Sequence, residues 1–264
     1  PWAGVLANRV GSPRHAQLLQ AALPAGDATA PSSWLGAVMR NAAFKLPERH
    51  LGLTAAGELP DALARLDAAA DALQNTFLGQ MDAEALQRWS VAFDGPPEMQ
   101  ATPRLLAGQT VAVARDAAFC FIYAANLDTL RELGAQLAFF SPLANEPVPA
   151  CDAVWLPGGY PELHTHALAN SQTCRDSMKA HVAQGRPLWA ECGGMMALFD
   201  AIVDIEGNHH PAWGLLPGVV RMQPRLAALG MQQLALSAGV LRGHTFHYST
   251  CETALEPRQR TDPG

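Results

Sequence analysis

One cysteine stands out through its neighbours. Cys192 follows the apolar run PLWA at 187–190 and precedes Gly193 and Gly194. A nucleophile that ends a strand and opens a helix lies on a sharp turn, which small neighbours make sterically possible. Free N–H groups at the helix start favour thiolate, predicting a pKa below the ordinary thiol value of about 8.5. The expected chemistry is attack on a carbonyl carbon; the alternative is a small buried residue before a glycine turn.

A second glycine pair could assist such an attack. The segment LPGGYPELH, 156–164, ends a predicted strand in Gly158 and Gly159. Their backbone N–H groups, together with that of Gly193, could bind the oxyanion of a tetrahedral intermediate. The alternative is a simple turn from strand to loop.

A base is available 55 residues beyond the cysteine, in LRGHTFHYST at 241–250. Strand alternation places His244 and His247 on opposite faces, so at most one of them should meet Cys192. A zinc site of the H-x-x-H type lacks a third ligand at helical spacing, and we expect no metal.

These residues need a sheet to bring them together. Predicted strands at 109–116, 136–142, 153–159 and 187–192 alternate with predicted helices at 123–135, 171–185 and 193–200. The alternation predicts an α/β fold with a doubly wound parallel sheet, whose sites lie at the carboxyl ends of the strands. Upstream, the pattern predicts a buried strand at 3–10, a short strand at 34–40 and a helix from about 57 to 77.

Composition narrows the class of protein. The chain has 264 residues, 49% hydrophobic and 16% charged, as expected for globular material. Its net charge of −6 and scattered basic residues argue against nucleic acid as a partner. No apolar run approaches a membrane span, and no signal-peptide pattern opens the sequence, so we expect a cytoplasmic protein without a membrane partner. Five cysteines without a C-x-x-C pair predict reduced thiols.

Cys-Gly-Gly, PGGYPE and GHTFHYS together resemble class I, triad-type glutamine amidotransferases, and most closely the cobyrinic or hydrogenobyrinic acid a,c-diamide synthase family. Further family-like phrases occur in the same order, among them LPERHLGL, VAVARDAAFCF and GLLPG. The resemblance implies a flavodoxin-like amidotransferase domain. It also implies a preceding partial P-loop NTPase-like domain of the dethiobiotin synthetase type.

The resemblance implies that one domain hydrolyses L-glutamine and passes ammonia to another. There, ATP and Mg²⁺ would activate the a and c carboxylates of cobyrinic or hydrogenobyrinic acid, on the route to cobalamin. The implied partners are therefore L-glutamine and a corrin or other tetrapyrrole carboxylate, and a homodimer is compatible with the family. Glutamine hydrolysis itself needs no cofactor.

Site residues follow by matching motifs. Cys192 matches the nucleophile that forms a glutamyl thioester, and His247 matches the base. The oxyanion and glutamine-binding positions are Gly158, Gly159, Tyr160 and Gly193. Asn8 matches a position that contacts adenine. A generic triad has a carboxylate two residues after the histidine, whereas this chain has Ser249, so what orients His247 stays open.

The domain organisation is implied by the same family resemblance. No G-x-x-x-x-G-K-[ST] loop occurs in the chain. We expect residues 1–94 to be a C-terminal remnant of the ATP-binding synthetase domain, 95–108 a linker, 109–255 the amidotransferase domain and 256–264 a polar tail. Such a fragment should hydrolyse glutamine without amidating a corrin.

Other functions remain open at this stage. Cobyric acid synthase and the nickel sirohydrochlorin a,c-diamide synthase share the glutaminase half. A thiol hydrolase or peptidase of the doubly wound type also places cysteine on an elbow. A non-catalytic interaction module would keep the elbow only for packing.

Overall fold

The computed structural model describes residues 4–24, 33–49, 52–53, 59–93, 95 and 102–263. The chain divides into two compact units, Pro1–Pro97 and Glu98–Gly264. Within the described residues, no helix is both long and apolar enough to cross a membrane.

Unit 1 is a small α/β unit built on a pair of parallel strands. Its elements in chain order are β1 (Val5–Val10), α1 (Pro13–Ala21), β2 (Trp34–Met39), β3 (Glu48–Arg49), β4 (Gly52–Leu53), α2 (Ala62–Gln74) and α3 (Ala83–Gln87). The strand expected to be buried is only partly so, because Asn8 and Arg9 are exposed where the β1–β2 register is irregular. The helix expected from residue 57 begins at Ala62; residues 54–58 lie outside the described part.

Unit 2 begins with the predicted parallel sheet. Its elements are β5 (Thr110–Ala114), α4 (Ala124–Glu132), β6 (Gln136–Phe140), β7 (Ala153–Leu156), α5 (Thr165–Asn170), α6 (Gln172–Ala183) and β8 (Leu188–Ala190). The strand order is β6-β5-β7-β8, and every neighbouring pair is parallel. The α/β class with a parallel sheet is thus confirmed, and the carboxyl ends of β7 and β8 lie side by side.

Alternate residues of each strand point to opposite faces, so the sheet has two apolar faces. Helices cover both of them. One face contributes Ala112 and Leu156 to a core that includes Met178 of α6. The other face contributes Val113 and Trp155, which pack with Leu130 of α4. The sheet between them is held rigidly, so side chains at its carboxyl edge have a fixed platform.

The chain then continues into two further sheets. The elements are α7 (Gly193–Met196), β9 (Phe199–Val203), β10 (His209–Pro211), β11 (Leu216–Met222), β12 (Ala228–Leu236), β13 (Gly239–His247), β14 (Ser249–Glu252) and β15 (Asp262–Pro263). One sheet has the order β10-β9-β11-β14, and the other β13-β12-β15. The predicted helix at 193–200 is shorter than expected, since Phe199 already begins a strand. At the polar end of the chain, β15 pairs with Gln232 and Gln233 of β12.

Trp213 is the largest fully buried side chain and joins the helices to this second half. Its Nε1 donates to Ser171 Oγ at 3.0 Å, and its ring stacks on Phe119 at 6.0 Å between centroids. Trp213→Ala should lower the free energy of unfolding by about 3–5 kcal/mol, because it leaves a cavity and removes the hydrogen bond that the buried Ser171 hydroxyl accepts. Urea unfolding followed by far-UV circular dichroism measures this loss.

Trp189 is the matched control, because its side chain is 54% exposed on β8. Trp189→Ala should cost less than about 1 kcal/mol. Equal losses of unfolding free energy in the two variants would show that the buried contacts of Trp213 do not stabilise the fold.

Candidate active site

Cys192 occupies a strained turn between β8 and α7. Its backbone has φ 50° and ψ −119°, a left-handed conformation that a side-chain-bearing residue adopts only at a cost. Its carbonyl oxygen accepts from the N–H groups of Met195 and Met196 at 3.1 and 3.2 Å, so the helix starts directly behind it. The geometry is that of a nucleophile elbow.

The glycines after Cys192 allow the elbow to lie on the neighbouring loop. A Cβ atom on Gly194 would stand 2.2 Å from the carbonyl oxygen of Leu156, at the end of β7. A Cβ atom on Gly193 would stand 2.7 Å from the carbonyl oxygen of Gly159 and 2.9 Å from its nitrogen. Any larger residue at either position would push the elbow away from the PGGY loop.

The PGGY loop in turn contacts the nucleophile. A Cβ atom on Gly158 would stand 3.2 Å from Cβ of Cys192. The carbonyl oxygen of Gly158 accepts from the N–H of Phe121 at 2.9 Å, which fixes this side of the site. The structure therefore brings Gly158, Gly159, Cys192 and Gly193 together, although they come from two segments of the chain.

Gly159 has no room for a side chain. A Cβ atom there would stand 2.1 Å from the carbonyl oxygen of Ala118, a backbone atom that cannot swing aside. Gly159→Ala should therefore displace the loop and slow attack by Cys192 on a carbonyl carbon by about 10²-fold or more, the usual loss for a misplaced oxyanion donor. Gly185→Ala is the control, because it also places a side chain at a positive φ, here 71°, but its Cβ atom would meet nothing within 4 Å. Equal rates of the Cys192-dependent reaction in the two variants would exclude this role for the loop.

Tyr160 forms part of the wall of the site. Its side chain is 8% exposed, and its ring meets that of Phe121 edge-to-face at 5.0 Å between centroids. The packing supports the loop; a role of Tyr160 in binding glutamine stays a prediction.

The electrostatic surroundings of Cys192 differ from expectation. Although the residue is exposed, desolvation of its sulfur raises the pKa of the thiol, and the charges of Glu162 and Glu191 raise it further. Hydrogen bonding from the N–H groups of Gly193 and Gly159 acts in the opposite direction but is outweighed. The predicted lowering of the Cys192 pKa is therefore wrong. The main reason is desolvation of the sulfur, to which the charges of the two carboxylates add. The helix α7 has only four residues, so the helix-end charge that opposes them is small.

A pH profile of alkylation follows from this raised pKa. Because only the thiolate reacts, iodoacetamide should label Cys192 slowly at neutral pH, and the rate should rise through a midpoint above that of an ordinary thiol. The same cysteine in the urea-unfolded chain should give a lower midpoint, since desolvation and the fixed carboxylates are lost. Peptide mass spectrometry separates Cys192 from the other cysteines. A folded-state midpoint at or below the unfolded one would contradict the electrostatics described above.

The structure gives His247 a defined orientation. Its Nδ1 lies 2.8 Å from the carbonyl oxygen of Ser249. A carbonyl oxygen can only accept, so Nδ1 carries the hydrogen and Nε2 keeps a lone pair for use as a base. A backbone carbonyl thus takes the place of the triad carboxylate. His244 lies on the other face of β13, where it pairs with Met231.

The structure does not place His247 against the sulfur. Among the described residues, no hydrogen bond joins the two side chains. Strand pairing in the sheet β10-β9-β11-β14 shows where the two residues lie. Phe199, which follows the elbow, pairs with Leu216 at the amino end of β11. Ser249, which follows the histidine, pairs with Met222 at the carboxyl end of the same strand. The role of His247 as base therefore stays a prediction and requires the ring to approach Cys192 when substrate binds.

The structure adds little support for a cofactor site at Asn8. Asn8 lies at the irregular end of β1, and its Oδ1 accepts from the N–H of Arg9 at 2.8 Å. Across the described ranges, no group of three His, Cys, Asp or Glu side chains could hold a metal ion. His210 instead pairs with Asp204 at 2.8 Å, and this contact holds the pKa of that carboxyl well below its usual range.

Sequence reasoning missed two features beside the site. One is the contact between Glu191 and Trp155, whose Nε1 donates to Glu191 Oε1 at 3.0 Å. The glutamate was visible in WAECGG, but no local pattern linked it to a residue on another strand. The other is a cavity of about 480 Å³ beyond the carboxyl end of β5; its lining residues are Arg115, Asp116, Cys120, Ile122, Ala124 and Leu127.

The fold and site geometry agree with a family comparison. The model of the CobB/CobQ-like glutamine amidotransferase domain matches residues 110–262. The chain belongs to this family. The matched part includes the elbow, the PGGY loop and both histidines of β13, as the sequence motifs predicted.

Individual relatives carry more specific names. The chain is 50% identical over 260 residues to hydrogenobyrinate a,c-diamide synthase of Pseudomonas aeruginosa, covering 98% of this chain and 57% of the relative. It is 46% identical to cobyrinate a,c-diamide synthase of Herminiimonas arsenicoxydans, over 98% of this chain and 57% of the relative. For cobyrinate a,c-diamide synthase of Halobacterium salinarum the identity is 41%, with 97% and 56% covered. The chain thus spans a little over half of the length of these relatives.

Among solved structures, a putative peptidase E from Listeria monocytogenes aligns with 42% of this chain and 64% of its own, at 17% identity and a TM-score of 0.35. A likeness of that extent is too small to indicate a shared function.

Proposed function

We propose that unit 2 hydrolyses L-glutamine to glutamate and ammonia through a thioester on Cys192. The observation that carries this proposal is the meeting of the strained elbow with the backbone of Gly159 and Gly193. The N–H groups of Gly159 and Gly193 act on the sulfur, and this supports the proposal because the same groups would receive the oxygen of a carbonyl carbon bound to it.

The reaction begins with removal of a proton, because the raised pKa keeps the Cys192 thiol neutral. Nε2 of His247 accepts this proton, and the sulfur attacks the γ-carbonyl carbon of glutamine. The resulting oxyanion lies against the N–H groups of Gly159 and Gly193. His247 then gives its proton to the leaving nitrogen, ammonia departs, and a glutamyl thioester remains.

Hydrolysis of the thioester repeats these steps with water. His247 takes a proton from the water, and the hydroxide attacks the thioester carbonyl. Collapse of the second tetrahedral intermediate breaks the carbon–sulfur bond, returns the thiol and releases glutamate. The carbonyl of Ser249 keeps the histidine in the required tautomer throughout.

The complete protein would use the ammonia to amidate the a and c carboxylates of cobyrinic or hydrogenobyrinic acid, as the names of the relatives suggest. In this reading, unit 1 is the end of an ATP-binding domain of the P-loop NTPase type, and unit 2 has a flavodoxin-like sheet. ATP and Mg²⁺ would supply carboxylate activation. Asn8 would contact the adenine of ATP, and no group of three His, Cys, Asp or Glu side chains in the described residues would hold Mg²⁺. A cytoplasmic location and a homodimer stay predictions.

Ammonia release tests the proposed function directly. The chain should release ammonia from L-glutamine but not from L-asparagine. The full-length protein, supplied with ATP and Mg²⁺, should amidate hydrogenobyrinic or cobyrinic acid at two positions, as seen by mass spectrometry. Preferential amidation of sirohydrochlorin or of a corrin already carrying the a,c-diamide would favour the nickel sirohydrochlorin enzyme or cobyric acid synthase instead.

One observation favours a second candidate function, that of a non-catalytic interaction module. A thiol with a raised pKa is what a non-catalytic interaction module would carry at this position. Such a module would leave Cys192 unlabelled by a glutamine-analogue electrophile, whereas a thiol hydrolase or peptidase would be labelled without protection by glutamine.

A further inference from the structure

The connection between β11 and β12 lies against the segment that carries His247. This connection comprises residues 223–227, and hydrogen bonds hold it at both ends. The N–H of Gln223 donates to the carbonyl of Tyr248 at 2.6 Å, and the N–H of Ala227 donates to the carbonyl of His247 at 2.9 Å. A ligand bound by the middle of the connection would therefore lie beside the histidine.

A cavity of about 480 Å³ opens at this connection. The side-chain nitrogen of Gln223 donates to the hydroxyl oxygen of Thr250 at 3.1 Å, which ties one wall of the cavity to β14. Among the lining residues that the structure describes, Arg225 alone carries a charge. The full lining is Gln223, Pro224, Arg225, Leu226, Ala227 and Thr250.

The guanidinium group of Arg225 is available to a ligand. The residue is exposed, and within the described part of the chain its side chain makes no hydrogen bond and no ion pair. Arg221 on the adjoining strand differs, because its Nε lies 2.7 Å from Oε1 of Glu252. The planar fork of an arginine binds a carboxylate through paired, charge-assisted hydrogen bonds. The cavity therefore favours a ligand with a carboxylate group.

L-glutamine, the substrate proposed above, has such a group at the end opposite its γ-carboxamide. In an extended conformation, bonds of about 1.5 Å separate the amide carbon from the carboxylate carbon by about 5 Å. The base acts at the carboxamide end, where it takes the thiol proton and protonates the leaving nitrogen. The α-carboxylate then lies a short distance from His247, as Arg225 does, two residues before Ala227.

We propose that Arg225 binds the α-carboxylate of L-glutamine in this cavity. The inference rests on the proposed function and adds a substrate subsite to it. A glutamine molecule held by its carboxylate at Arg225 and by its carboxamide at Cys192 joins the two segments that the structure leaves apart. The subsite also selects a free amino acid over a carboxamide without an α-carboxylate.

Protection of Cys192 against iodoacetamide measures this subsite without requiring turnover. The protecting ligands are L-glutamine and 4-aminobutanamide, which is glutamine without its α-carboxylate. In the unaltered chain, half-protection by 4-aminobutanamide should need a concentration at least about tenfold higher, the scale of one charge-assisted hydrogen bond. Arg225→Gln should raise the half-protecting concentration of L-glutamine by a similar factor and leave that of 4-aminobutanamide unchanged.

Two further variants separate the role of the fork from that of the charge. Arg225→Lys keeps the charge without the planar fork, so it should recover part of the L-glutamine protection that Arg225→Gln loses. Arg242→Gln is the matched control, because it removes the same charge from an exposed position on β13. Protection by both ligands should be unchanged in this control.

Three results would overturn the inference. Unchanged protection by L-glutamine in Arg225→Gln would exclude the subsite. Equal weakening of L-glutamine and 4-aminobutanamide in that variant would show a merely structural role of the connection. An equal loss in Arg242→Gln would show a general effect of charge. In each case ammonia release by the unaltered chain would leave the proposed function standing.

Absence of both ammonia release and glutamine protection in the unaltered chain would overturn the proposed function and the subsite together.

Discussion

Cys192→Ala should abolish ammonia release from L-glutamine, with kcat at least about 10⁴-fold lower, because it removes the sulfur that forms the thioester. The fold should remain intact. Cys192 is exposed and already holds a Cβ atom at φ 50°, so alanine adds no backbone strain and removes only the sulfur. The free energy of unfolding should change by less than about 1 kcal/mol. Ammonia release and urea unfolding are measured on the same preparation.

Cys251→Ala is the matched control for this variant. Cys251 is an exposed free cysteine on β14, outside the elbow, and its loss should leave ammonia release unchanged. Equal glutaminase rates in the Cys192 variant and the control would show that Cys192 is not the nucleophile.

His247→Asn should lower kcat by about 10²–10⁴-fold, the usual contribution of a general base. Asparagine can still donate an amide N–H to the Ser249 carbonyl, but it offers no proton acceptor of suitable strength in place of Nε2. The thiol should therefore stay protonated when glutamine binds. Activity of this variant should be partly recovered at high pH, where the thiolate forms without a base.

The neighbouring His244→Asn provides the comparison. His244 is an exposed residue on the other face of the same strand, so its replacement should leave kcat near that of the unaltered chain. Loss of activity in the His244 variant alone would reverse the assignment of the base. Full activity in both would mean that neither histidine approaches Cys192.

Much of the fold was predictable because its signals are local. Each strand of the parallel sheet is a short apolar run, and each helix has its own periodicity. Cys192 was predictable for the same reason, since a strand, a nucleophile and two glycines follow one another without interruption. The approach of Gly158 and Gly159 followed from a general property of parallel sheets, whose carboxyl ends lie at one edge.

What could not be predicted depends on contacts between distant residues. The sign of the Cys192 pKa shift depends on desolvation and on Glu162, thirty residues upstream, which no helix-end rule takes into account. The hydrogen bond of His247 to a backbone carbonyl could not be predicted from residue types, because every residue has such a carbonyl. The early strand expected to be buried is exposed at Asn8 and Arg9, where its pairing with β2 is irregular, and hydrophobicity does not report such a feature of register.

The central claim is that Cys192 attacks the γ-carbonyl of glutamine, and covalent trapping tests it most directly. The full chain is incubated with 6-diazo-5-oxo-L-norleucine, an electrophilic analogue of L-glutamine, and digested for peptide mass spectrometry. The account predicts one adduct, on the peptide containing Cys192, formed at a rate that excess L-glutamine reduces. An adduct on another residue, or none under conditions in which the chain releases ammonia from L-glutamine, would contradict it.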